Sequence, residues 1–264
     1  MMTSKLTAAI VCALTVFLPT AKAYSNTSIE ENTKFNSPQR FMLEIKFGPY
    51  RPDVDGKENY SNLSSADSSP PFQKIYGDGN DLMIQGEFDW EIWRGFGTVG
   101  IGGQVGYFNT SASPLKDNSD GIQLSTSNER SAAGETSLKL LPLAVLGLYR
   151  LDYFADRFRF PLVPFFKFGF NYTIWWSTAP DGSVESFDGE KAMGGTFGWQ
   201  INAGVSFLLD VLEPSAAKNL DVDLGINHTY IFFEFVHVAA DGLGADNKLH
   251  VGDTTWQGGI AFEF

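Results

Sequence analysis

The sequence predicts an all-β chain: an eight-stranded antiparallel up-and-down transmembrane β-barrel, with strand one closing on strand eight. Three observations carry this. Eight stretches between Phe41 and Phe264 alternate in polarity with a period of two. On most of them the large residues lie on the apolar face and the glycines on the polar face, as a lipid-facing wall around a narrow lumen requires. The connections between them alternate between long polar loops and shorter turns, the asymmetry of a barrel with both termini at one end.

The elements follow in order. Strand one is Phe41 to Tyr50, with Phe41, Leu43, Ile45 and Phe47 opposite Glu44, Lys46 and Gly48. A polar loop, 51–80, leads to strand two, Asp81 to Trp93, where Ile84, Phe88, Trp90 and Ile92 oppose Gln85, Glu87, Asp89 and Glu91. The Arg94-Gly95 turn opens strand three, Gly97 to Phe108, whose polar face is rich in glycine. After the loop 109–135, strand four spans Thr136 to Arg150. It is apolar on both faces and carries Pro142, which removes a ladder donor, so its register is not readable. Strand five, Leu162 to Trp176, sets Phe166, Phe168, Phe170, Tyr172, Ile174 and Trp176 against Lys167, Gly169, Asn171 and Thr173. Strand six is Thr196 to Leu209. Strand seven is expected from Asn219 to about Val236, with Asp221 and Asp223 inward and a bulge near His228 where the parity weakens. Strand eight is Asp253 to Phe264, and it should pair with strand one.

That last strand resembles an outer-membrane assembly signal: Trp256, Ile260, Phe262 and the terminal Phe264 share one face. It implies the barrel-assembly machinery as a partner. The opposite end reads as a secretory signal, residues 1–23. Lys5 precedes the apolar run Leu6 to Leu18, and Ala21-Lys22-Ala23 gives a small-x-small cleavage site after Ala23. A flexible periplasmic lead-in, 24–40, then precedes the barrel, 41–264. Cys12, within the signal, is the single cysteine and lacks a lipobox, so the mature chain has no disulfide and no thiolate chemistry. Cleavage removes Lys5 and Lys22 and takes the formal charge from −12 to −14. Such an acidic chain without a basic tract excludes nucleic-acid binding. After the signal no run is long and apolar enough for a helical membrane span. Barrel strands escape such a search because their polarity averages out.

Several segments together are similar to outer-membrane β-barrel proteins of delta-proteobacterial (myxobacterial) type. They are Leu148-Tyr149-Arg150-Leu151-Asp152 through Pro161-Leu162-Val163-Pro164, Glu213-Pro214-Ser215-Ala216-Ala217, and Gly225-Ile226-Asn227-His228-Thr229-Tyr230 with Phe232-Phe233-Glu234. The resemblance covers most of the mature chain. It implies the bacterial outer membrane and the fold; the family carries no established activity.

Parity collects a polar lumen: Glu44, Glu87, Asp89, Glu91, Asp221, Asp223 and Glu263 against Lys46 and Lys167. The acids should lie in the periplasmic half. An eight-stranded barrel is filled by side chains, so the lysines are expected to pair with Glu44, Glu87 or Asp89 in a polar plug. A cation or proton path is the functional alternative. His228 is the candidate for a membrane-embedded lipid-modifying enzyme, but its neighbour Thr229 has opposite parity and no Ser stands two residues on. His237 and His250, with Asp241, Asp246 and Asp253, have no diagnostic metal spacing. Asp53, Asp55, Asp78, Asp81, Asp117 and Asp120 match no calcium loop; they suit hydrated surface or loose divalent bridging to lipopolysaccharide. No cofactor, metal or catalytic motif is expected. The sequence reads as a non-enzymatic structural or surface-interaction barrel acting through four outer loops, with a small pore or the His228 enzyme as alternatives and the extracellular ligand unspecified.

Overall fold

The computed structural model describes residues 39–56, 71–113, 134–158, 160–187, 189–245 and 248–264. The expected signal, 1–23, and the lead-in up to residue 38 lie outside the described residues. Eight strands form the barrel: β1 (Phe41–Tyr50), β2 (Asp81–Gly95), β3 (Gly97–Ala112), β4 (Thr136–Arg150), β5 (Leu162–Thr178), β6 (Met193–Leu208), β7 (His228–Ala239) and β8 (Asp253–Glu263). Every neighbouring pair is antiparallel, and β8 closes on β1. Among the described residues, three short helices lie in the connections: α1 (Pro71–Tyr76), α2 (Tyr153–Phe158) and α3 (Pro214–Leu224).

Closure satisfies the backbone groups that an open sheet would leave at its edges. At the seam Leu43 faces Phe262 and Ile45 faces Ile260. Phe264 lies just past β8, and its backbone N–H still donates to the Phe41 carbonyl at 2.8 Å while its carbonyl accepts from Arg40 at 2.7 Å. The wall is apolar outside: Phe47, Phe88, Trp90, Phe170 and Phe235 are each more than half exposed. Inward positions alternate with them and are mostly buried through the middle of each strand. In β4 the inward set is Leu138, Leu140, Pro142, Ala144, Leu146, Leu148 and Arg150. Proline is tolerated there because the β3–β4 pairing steps from Val105–Leu143 to Phe108–Leu140, over the position where its missing N–H would have served.

Strand seven departs from the sequence reading. Leu220, Val222, Leu224 and Ile226 alternate like a strand, yet Pro214–Leu224 is helical. Pro214 sits at the helix start, Ala216, Ala217 and Lys218 favour helix, and Gly225 takes a left-handed φ of 73° that ends it. Start and stop signals prevailed over a short alternation. Asp221 and Asp223 therefore stand on α3 and not in the lumen. No bulge occurs at His228, which begins β7 and pairs in regular register from Glu263 onward. The register shift lies instead between Glu91 and Trp93 on β2. With β7 starting late, the connection 209–227 is longer than 179–192 and 240–252, so the alternation of loop lengths fails at that connection.

Candidate functional site

Two charged layers occupy the lumen. The middle one is built on Lys46 of β1 and Lys167 of β5, both fully buried. Lys46 Nζ lies 2.6 Å from Glu87, 3.0 Å from Glu234 and 3.6 Å from Glu44. Lys167 Nζ lies 2.6 Å from Glu87, 2.7 Å from Glu44 and 3.8 Å from Asp89. Glu87 thus bridges the two ammonium groups. Amides extend the layer: Gln200 donates to Asn202 at 2.9 Å, and Asn202 donates to Glu234 at 3.0 Å. Glycine makes room for it. A Cβ on Gly102 of β3 would collide with the Asp89 carboxylate, so that carboxylate fills the space a side chain would take.

The second layer lies nearer the end that carries the termini. Arg150 reaches Glu91 at 2.8 Å and Glu263 at 3.1 Å. Arg94, at the end of β2, pairs with Glu91 at 2.6 Å and also with Glu263. Two guanidinium forks therefore hold two carboxylates, and Tyr230 donates its hydroxyl to Glu263 at 3.0 Å. The Arg150 guanidinium also sits over the Tyr230 ring at 5.1 Å.

Apolar clusters flank this polar interior. Toward the termini are Met42, Val163, Phe165, Leu208, Phe232 and Ala261. Toward the long loops are Tyr50, Met83, Phe108, Leu138, Leu140 and Val251, with Phe72 of α1 inserted among them. Asp55 fastens α1 over this mouth by accepting from the backbone N–H of Phe72 at 2.8 Å and of Gln73 at 2.9 Å. Tyr76 of the same helix packs on the cluster. Its hydroxyl is pushed up to about 12, first by burial and then by the negative charge of Glu185.

A cleft of about 690 Å³ opens beside that mouth, lined by Arg51, Asp53, Asp55, His237, Asp241, His250 and Asp253 among others. Its histidines and carboxylates do not converge on a metal. His237 Nδ1 is 2.7 Å from Thr254 Oγ1, and Asp253 accepts from the Arg51 backbone at 2.9 Å. Among the described residues, the one group of three His or acidic ligand atoms within 4.8 Å of one another is Glu44, Glu87 and Asp89. Asp246, Asp117 and Asp120 lie outside the described residues. Asp78 pairs with Arg51 at 3.7 Å.

Of the lumen residues expected from parity, Glu44, Lys46, Glu87, Asp89 and Lys167 meet in the middle layer, Glu91 and Glu263 in the other. Glu263 is held there by both arginines. Asp221 and Asp223 take no part. Trp256 points outward and is half exposed; Ile260 and Phe262 lie on the same outer face. His228 shares the inward parity of Tyr230 and Glu234, which turns it from the apolar exterior. Its Nδ1 lies 2.6 Å from the Asp210 carboxylate, whose other oxygen accepts from the Thr229 N–H at 3.1 Å, so the pair ties the 3-10 turn Leu209–Val211 to the start of β7.

Three charged residues escaped the sequence reading. Glu234 fell where strand seven had lost its parity, Arg150 ended a strand apolar on both faces, and Arg94 looked like a turn residue. Charge balance was the available signal: a crowd of buried acids against two lysines calls for more cations, and Arg94 and Arg150 stand next to the inward faces.

No protein-family model and no curated protein matches the chain. Solved structures do. Ail, the attachment invasion locus protein of Yersinia pestis, in complex with the heparin analogue sucrose octasulfate, matches at 11% identity and a TM-score of 0.41, over 86% of this chain and 97% of that one. The outer membrane protein OprG from Pseudomonas aeruginosa matches at 13% identity and a TM-score of 0.38, over 86% and 96%. Neisserial surface protein A matches at 8% and 0.36, over 86% and 95%. At these identities the likeness concerns the barrel fold.

Proposed function

We propose that this chain is a bacterial outer-membrane barrel with a plugged lumen and no enzymatic activity, and that it acts as a structural or surface-interaction protein through its four loops opposite the termini. One observation carries the reading: the wall is inverted relative to a soluble barrel. Its large apolar side chains face out, while Lys46, Lys167, Arg150 and their carboxylates are buried within. Water would not tolerate so continuous an exposed apolar surface, and hydrocarbon requires it. Outer-membrane lipid and lipopolysaccharide surround the wall in this reading, and the face bearing Trp256, Ile260, Phe262 and Phe264 is presented to the barrel-assembly machinery after cleavage near Ala23. The loop-end cleft is the surface offered to an extracellular ligand.

The ion pairs and the apolar clusters on either side of them support the plug. The test combines fractionation with electrophysiology. The mature protein should partition into the outer membrane and migrate in gels as a heat-modifiable band. Reconstituted in planar bilayers, it should show no steady single-channel conductance. A cation-selective conductance would remove the plug, and recovery in the soluble periplasmic fraction would remove the membrane assignment.

A further inference from the structure

The apolar exterior does not stop where the strands do. Near the end that carries the termini, an outward row of Val99, Tyr149 and Phe166 crosses β3, β4 and β5, and all three are exposed. Beyond this row stand four phenylalanines. Phe96 lies between β2 and β3, Phe154 and Phe158 lie on α2, and Phe160 follows that helix. They are exposed by 58%, 39%, 66% and 53%. Water disfavours so much aromatic surface in one place, and a patch of this kind marks a contact with something apolar.

Local geometry fixes the patch against the wall. Gly97 takes a φ of 121°, and a Cβ there would meet the Arg150 carbonyl oxygen at 2.6 Å and the Tyr149 hydroxyl at 2.9 Å. Glycine therefore lets the chain turn closely over the end of β4. Tyr149 donates its hydroxyl to the Phe96 carbonyl at 2.7 Å, which joins the turn to the outward row. The Phe96 ring lies 5.1 Å from Tyr153 and 6.2 Å from Phe154. Phe154 and Phe158, one helical turn apart, stack at 6.1 Å. The Phe160 N–H donates to the Phe154 carbonyl at 3.3 Å. Ala155 is buried in the cluster of Val163 and Phe165, so α2 is held with its phenylalanines outward. Arg157 is exposed on the same helix.

We propose that Phe96, Phe154, Phe158 and Phe160 form an interfacial foot. It is sunk into the phospholipid leaflet at the terminal end, at the boundary of headgroups and acyl chains. The inference rests on the lipid-facing reading of the wall and extends that contact from the strands to a helix and a turn. Continuity identifies the occupant: through Tyr149 the patch runs on from side chains that lipid covers in that reading. The chemistry agrees with it. Phenylalanines on one face with a basic residue beside them are the make-up of a segment lying in a membrane surface. The Arg157 guanidinium suits a phospholipid phosphate, and its aliphatic stem can lie along apolar surface. The foot sits on the β2 to β5 side and sets the depth of that side in the leaflet.

The experiment uses the chain from residue 24 onward, which contains no cysteine. Phe158→Cys and Phe160→Cys in the foot, and Phe170→Cys in the wall, are each labelled with a fluorophore. Each is folded into vesicles of phosphatidylethanolamine and phosphatidylglycerol, and heat-modifiable migration confirms folding. The vesicles carry a nitroxide quencher either close to the headgroup or near the end of the acyl chain. The foot labels should lose more intensity to the shallow quencher than to the deep one. The wall label should be quenched by the deep one. Unquenched foot labels beside a quenched wall label overturn the foot and leave the membrane reading intact; a periplasmic protein partner would give this pattern. An unquenched wall label in folded protein overturns the membrane reading and the foot with it. Phe160 lies outside α2, so its label reports even where Phe158→Cys disturbs the helix.

Discussion

The lumen solves one problem twice, with different cations. Near the termini, where Arg94 keeps about a third of its side chain exposed, two guanidinium forks grip two carboxylates. Each fork offers fixed, planar donors, so the pairing is one to one and geometrically specific. In the middle, where nothing is wet, two ammonium groups sit among four carboxylates. A compact point charge with three rotatable donors suits that crowd, and Glu87 accepts from both lysines at 2.6 Å. The rim layer can lose a member and keep a partner. In the middle layer Glu44 and Glu87 touch both lysines, but Glu234 meets only Lys46 and Asp89 only Lys167, so the loss of either lysine strands an acid.

The largest effect that tests this contrast is the removal of a middle-layer cation. Lys46→Met leaves Glu234 with Asn202 as its remaining partner and should destabilise by about 3–5 kcal/mol, the usual cost of orphaning a buried charge. Arg150→Met should cost less, about 1.5–3 kcal/mol, because Arg94 still holds both Glu91 and Glu263. Urea-unfolding midpoints in one detergent would rank the two variants; equal losses, or the reverse order, would break the comparison.

Gly102→Ala comes next. The added methyl group meets the Asp89 carboxylate and should cost about 1–3 kcal/mol. Combined with Asp89→Ala it should cost much less than the two changes summed, which a double-mutant cycle measures; additivity would mean that Asp89 does not occupy that space. The smallest effect is expected outside the barrel. Asp223→Asn, on the exposed side of α3, should shift stability by no more than about 0.5 kcal/mol. A loss comparable to Gly102→Ala would return that residue to the lumen.

The wall was legible because lipid and lumen impose opposite demands at successive residues. Phe41, Leu43, Ile45 and Phe47 alternate with Glu44 and Lys46 so cleanly that the bounds of β1 and the partner across the seam could be read directly. The central charges were legible for the same reason. Where one demand is missing the signal fails. The strand β4 fills the lumen with leucine as well as facing outward with it, so Arg150 had no readable side. Leu220, Val222 and Leu224 alternate on a helix that buries none of its residues, and Ile226 lies just past its end, so the pattern met no packing that would give it meaning. Glu234 was lost with the register of that same region. The pairing of particular acids with particular lysines depends on the stagger of strands around the barrel, which no single strand encodes.

The bond between Phe264 and Phe41 also has a consequence in time. Chains are made from the N-terminus, so β1 is the first strand to emerge and the last to acquire its second neighbour. Until β8 and Phe264 are in place, one edge of β1 offers unpaired N–H and carbonyl groups, and until β7 is in place Lys46 lacks Glu234. Until then the barrel has an adhesive edge and an unfinished charge at β1. Whatever keeps the chain from aggregating in that interval must shield a segment near the beginning while it waits for one at the end.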